Sequence, residues 1–129
     1  AAAAALANYL ANTGKLSDAI PWYEKAIQFS PNDPNLRLDF ARSLATGDFG
    51  SDAELQFQKA IELNPTDPQA YFYLGELYYN MHPQRVVDAI DQYEKTIELG
   101  PETFIALRAQ ERLVELGVAT PKASPSPAS

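Results

Sequence analysis

One spacing constrains this chain more than any other feature. A set of apolar and turn residues returns every 34 residues. Ala19, Tyr23, Ala26 and Pro31 recur as Ala53, Phe57, Ala60 and Pro65, then as Ala89, Tyr93, Thr96 and Pro101 after a step of 36. Upstream in each unit, Leu6-Ala7 with Leu10 becomes Phe40-Ala41 with Leu44, and then Leu74-Gly75 with Tyr78, both steps being 34. The two extra residues of the third unit therefore fall between Tyr78 and Ala89. There the segment 80–84, Asn-Met-His-Pro-Gln, reads as a turn that absorbs length at little entropic cost. A period of this size marks an array whose units are single supersecondary elements, each unable to bury its apolar face alone.

Each unit reads as two helices. In the second, Ala19, Tyr23, Ala26 and Ile27 fall at helical spacing. Pro31, Pro65 and Pro101 end these helices, because the residue before a proline is pushed out of helical conformation. Pro34 and Pro68 suit the first turn of the next helix, where a missing N–H costs nothing, and Asp33 and Asp67 before them are N-cap residues. Gly14, Gly47 and Gly50 are placed in the turns between paired helices. A seventh helix is expected over about Glu102 to Leu116, with an apolar stripe of Ile105 or Ala106, Ala109, Leu113 and Leu116. Its charged side (Arg108, Glu111, Arg112 and Glu115) suits a terminal cap that closes the stack against water.

The third unit, Tyr71-x2-Leu74-Gly75-x2-Tyr78 followed by Ala89-x3-Tyr93 and Pro101, resembles the tetratricopeptide repeat pattern. The second matches it through Phe40-Ala41-x2-Leu44, Ala53-x3-Phe57 and Pro65, with Arg37 in place of the leading aromatic; the first has Ala3 there. The resemblance spans about residues 3–117. It implies an all-α right-handed solenoid of three helix-turn-helix units with a capping helix and a disordered or extended C-terminal tail. The expected domain is 1–117, with repeats at about 1–33, 34–67 and 68–101 and the cap at 102–117. Ala7, Ala41 and Gly75 are then the close-approach positions facing Ala19, Ala53 and Ala89, and the aromatics fill the space between pairs.

Composition narrows the chemistry. The chain has no cysteine, which removes disulfides, thiolate metal sites and cysteine nucleophiles. Seventeen Asp+Glu against 10 Lys+Arg give a net charge of −7, which repels nucleic acid on average. No apolar run approaches the roughly 20 residues that span a bilayer. The single histidine, His82, sits in the lengthened turn and reads as a solvated residue. Asp48-Phe49-Gly50 spells a kinase metal-binding tripeptide with no other part of that signature present, and no nucleophile elbow or phosphate loop occurs. Asp88, Asp91, Glu94 and Glu98 form an acidic run that reads as a solvated outer face. No enzyme activity, cofactor or metal is expected.

Function is therefore sought on the concave surface, which in tetratricopeptide arrays is lined by the first helix of each pair. Helical geometry places Asn8 and Asn12, with Ala11, on that surface in the first unit; Leu38 and Arg42, with Ala45, in the second; and Phe72, Glu76, Tyr79 and Asn80 in the third. Phe72 and Tyr79 are expected as solvent-facing aromatic anchors, with packing of either ring against the cap helix as the alternative. Asn8 and Asn12 suit a peptide backbone, and Arg42 a carboxylate. The family's best-known peptide mode grips a C-terminal carboxylate with several cations. The resemblance puts Ala4, Phe72 and Glu76 at the corresponding places, with only Asn8 kept, so a ligand with apolar anchors, peptide or helix, is expected instead.

The expected role is a protein–protein interaction scaffold, an accessory or assembly subunit of a larger complex. Two alternatives stand beside it: a self-assembling protomer that uses its terminal arms, giving a homo-oligomer, and a substrate-recruiting fragment of a larger enzyme. Residues 118–129, rich in Pro, Ser and Ala, are read as a tail suited to draping along a neighbouring chain. That tail, together with the possibility of an anchor preceding Ala1, points to a membrane-associated or cell-envelope setting.

Overall fold

The structure is a computed structural model that describes residues 2–118. Apart from Val118, the expected tail lies outside the described residues, as does Ala1. Among the described residues the order is α1 (Ala2–Asn12), α2 (Leu16–Phe29), α3 (Pro34–Ala45), α4 (Gly50–Leu63), α5 (Pro68–Asn80), α6 (Val86–Leu99) and α7 (Phe104–Glu115), with no strand.

Local chemistry sets these boundaries. The Asp33 carboxylate accepts from the Asn35 and Leu36 amides, and Asp67 from Gln69, so two N-caps sit directly before Pro34 and Pro68. The second helices stop at Phe29, Leu63 and Leu99, two residues short of Pro31, Pro65 and Pro101. The turn inside the third pair, 81–85, is one residue longer than 46–49, and α5 runs one position further than α3, so the two extra residues fall between Tyr78 and Ala89. Gly14 takes φ +82°, a left-handed conformation open to glycine at no steric cost. Gly50 is not a turn residue as expected but the first residue of α4. Phe49 is the cap there, and the turn closes one residue earlier than the glycine suggests.

Packing follows the small residues. Ala7, Ala19, Ala41, Ala53 and Ala89 are fully buried where paired helices touch. At Gly75 the approach is closer still, since a Cβ there would lie 2.9 Å from the Tyr93 ring. Tyr23 stacks on Phe40 of the next unit with ring centroids 4.9 Å apart. The pairs then stack through α2 on α3, α4 on α5 and α6 on α7, while α1, α3, α5 and α7 also touch in succession along one side. A single curved stack of hairpins results, its first helices side by side.

α7 holds the repeat register. Thr103 caps it from the place that Asp67 occupies 36 residues earlier, and its buried residues Ala106, Ala109 and Leu113 repeat the places of Ala70, Tyr73 and Leu77. It is thus the first helix of a fourth unit. At the place of Ala7, Ala41 and Gly75 it carries Glu111, a carboxylate where pairing needs a residue no larger than alanine. That substitution leaves α7 without the small residue at which α1, α3 and α5 meet their partners.

Candidate partner-binding groove

The first helices enclose an open cavity of about 940 Å³, reached from the side where α1, α3 and α5 lie next to one another. Asn8, Asn12, Arg42, Glu76 and Asn80 line it, as do Ala11 and Ala45. Three of these occupy one column of the repeat: Asn8, Arg42 and Glu76 are each 34 residues apart, and Arg112 follows after 36.

The neighbours of that column decide what each member can do. In the first unit the Tyr23 hydroxyl donates to the Asn8 Oδ1, while the Asn8 amide donates to Asp39 Oδ2 at 3.4 Å. In the third, the Tyr93 hydroxyl donates to Glu76, and Arg112 clamps the same carboxylate with Nε at 2.9 Å and Nη2 at 3.1 Å. The second unit breaks the pattern, because the tyrosine of the second helix is replaced by Phe57, which has no hydroxyl to offer. Arg42 is left with its guanidinium 4.1 Å over the Tyr73 ring and with no ion pair among the described residues.

Burial pushes the Tyr93 phenol well above its ordinary range, and the Glu76 carboxylate beside it adds to the shift. Burial also raises the Asp39 carboxyl, opposed by the Asn8 hydrogen bond and the Arg42 charge. The Glu115 carboxyl is held low by the Tyr79 hydroxyl and then by Arg112.

Three expected groove residues are placed elsewhere. Phe72 and Leu38 are only 6% and 5% exposed. Phe72 packs on Tyr73 at 5.3 Å and on Tyr93 at 6.1 Å instead of facing solvent. The reason is that each first helix contacts the next first helix as well as its own partner, so its buried arc is wider than one stripe. Tyr79 lies outside the cavity: its hydroxyl donates to Glu115 on α7 at 2.8 Å, and Arg112 sits 4.3 Å over its ring. Conversely, Tyr73, Asp39 and His82 line the cavity and were not anticipated there. The 34-residue shift that relates Asp39 to Tyr73 is the signal that could have found that pair.

The acidic run is outward-facing in part. Asp88 pairs with Arg85 at 2.9 Å and Glu98 with Lys95 at 3.4 Å, while Asp91 and Glu94 are exposed. Among the described residues no group of His, Asp or Glu could hold a metal ion, and no helix is long and apolar enough to cross a membrane.

A tetratricopeptide repeat family model matches residues 1–43, and a TPR repeat model matches residues 52–81. The first TPR of Spaghetti (RPAP3), bound to the HSP90 peptide SRMEEVD, superimposes with a TM-score of 0.78 at 24% identity, covering 92% of each chain. The first TPR domain of human RPAP3 gives 0.76 at 25% identity over 88% of this chain and 87% of that one. YrrB, described as a TPR protein with an unusual peptide-binding site, gives 0.76 at 24% identity, over 84% of this chain and 55% of its own. No curated protein matches the sequence.

Proposed function

Because this chain belongs to the tetratricopeptide repeat family, we propose that it is a non-enzymatic scaffold holding a segment of a partner protein in the groove between α1, α3 and α5. In this reading it serves as an accessory or assembly subunit of a larger complex. The observation that carries the reading is Arg42. It lines a cavity of about 940 Å³, stacked on Tyr73 and with no ion pair among the described residues, while the equivalent Asn8 and Glu76 are engaged by Tyr23 and by Tyr93 with Arg112. An extended peptide with a carboxylate opposite Arg42 would gain a charge-assisted hydrogen bond in a partly desolvated site. Asn12, exposed on the same wall, suits its backbone. Two structural neighbours that hold a peptide or are described by a peptide site support this mode.

The test is selection of a random peptide library on the folded chain, followed by fluorescence anisotropy with the recovered sequences. Recovered peptides should share an Asp, a Glu or a terminal carboxylate. Arg42→Ala should weaken them by about 1–3 kcal/mol. Equal binding to a folded Arg42→Ala/Asn12→Ala variant rejects the groove as the docking surface.

A further inference from the structure

The outer seams between units, away from the groove, differ in a way that points to a second site. Between the second and third units the seam is closed by the chain itself. Arg85, the residue before α6, lies 4.3 Å over the Tyr78 ring and pairs with Glu54 at 3.0 Å and Asp88 at 2.9 Å, while the Tyr78 hydroxyl donates to Glu54.

Between the first and second units the same backbone positions carry other side chains. Leu44 stands for Tyr78, Ile20 for Glu54 and Phe49 for Arg85; only the carboxylate of Asp88 is kept, as Asp52. The result is an open slot of about 330 Å³ lined by Ile20, Leu44 and Phe49, with Glu24 and Asp52 also reaching it. Neither carboxylate has a partner among the described residues. Arg37, the cation that also lines the slot, is already tied to the Pro31 carbonyl and to Gln56, each at 3.1 Å. None of the slot's residues lines the groove.

We infer that this slot takes an arginine side chain of a partner protein. Its methylene stem would lie along Leu44 and Ile20 with the guanidinium over Phe49 between Glu24 and Asp52, the role that Arg85 fills one unit further on. A planar guanidinium suits both the ring face and a carboxylate fork better than an ammonium does. A chain of net charge −7 also draws a basic partner over longer distances. The inference is independent of the groove, so either can fail without the other.

The probe is N-acetyl-arginine methylamide, with the uncharged citrulline analogue as control, titrated into the full chain at constant ionic strength and followed by amide NMR shifts. The arginine compound should shift amides of residues 20–24 and 44–52 saturably, and citrulline should not. Asp52→Asn/Glu24→Gln should raise the apparent Kd at least about tenfold. Arg42→Ala should leave it unchanged. A second variant, Ile20→Glu/Leu44→Tyr/Phe49→Arg, transplants the closed seam and should abolish the shifts while raising Tm. Equal shifts with citrulline, shifts centred on the groove, no shift at all, or unchanged binding by the carboxylate variant would each overturn the inference.

Discussion

The Glu76–Arg112 clamp fastens the fourth-unit helix to the third unit, and its removal has a magnitude that follows from the geometry. Glu76 accepts two guanidinium hydrogen bonds and one from Tyr93, with the two side chains 20% and 25% exposed. Two unit charges about 4 Å apart attract by roughly 4 kcal/mol at an effective dielectric of 20, before desolvation is subtracted. Exposed pairs net about 0–1 kcal/mol, and breaking a fully buried one costs about 3–5. A half-shielded bidentate pair lies between these limits. Arg112→Met should therefore cost about 2–3 kcal/mol, because Glu76 is stranded beside Tyr93. Glu76→Gln alone should cost about 1 kcal/mol, and Glu76→Gln/Arg112→Met, which removes both charges, also about 1 kcal/mol, giving a coupling of about 2–3 kcal/mol.

The assay is urea unfolding by circular dichroism with linear extrapolation, completed as a double-mutant cycle. Because stability in stacked repeats is shared between nearest neighbours, the loss should appear first as hydrogen exchange in α7. A single variant within about 0.5 kcal/mol of wild type, or a double variant worse than the sum of the singles, would refute the reasoning.

Three further outcomes are expected. Gly75→Ala should destabilise by about 1 kcal/mol in urea melts although alanine is the better helix former, since its Cβ would meet the fully buried Tyr93 ring at 2.9 Å; a gain in stability would mean that the ring yields freely. Arg37→Tyr should raise Tm by an amount equivalent to about 0.5–1 kcal/mol, because a tyrosine would keep the bond to the Pro31 carbonyl, as Tyr71 does to Pro65 at 2.8 Å, and add a packed ring; a lower Tm would show that the Gln56 bond outweighs the ring. The third outcome is alkaline unfolding. Burial raises the phenols of Tyr23, Tyr78 and Tyr93, so above about pH 10 the unfolded chain loses these protons first and stability falls as pH rises, by at most about 1.4 kcal/mol per unit for each ring. Tyrosinate absorbance should grow together with the loss of helix, and growth well before that loss would contradict the burial of these rings.

Much of this molecule is written in short-range chemistry. The spacing of Ala19, Tyr23 and Pro31 with their later copies, the Asp-Pro starts at 33–34 and 67–68, and the two residues inserted after Tyr78 fix where helices begin, end and touch. The caps and stops depend on a residue and its near chain neighbours, and the points where helices touch follow from a repeat visible in the sequence. The register of α7 with the earlier units, carried by Thr103, Ala106 and Leu113, was missed in the sequence, where the helix reads only as a terminal cap.

The availability of a groove side chain is a different matter. Helical periodicity gives a residue's angle around its own axis and says nothing of what the curvature of the stack brings against it. Leu38 and Phe72 share an angle with exposed positions, yet the approach of successive first helices buries them. Glu76 and Tyr79 face outward on α5 until α7 arrives with Arg112 and Glu115. Arg42 is available because Phe57, on another helix, lacks one oxygen atom. Contacts of that kind join residues 15 to 36 positions apart, and only the folded stack decides which of them form.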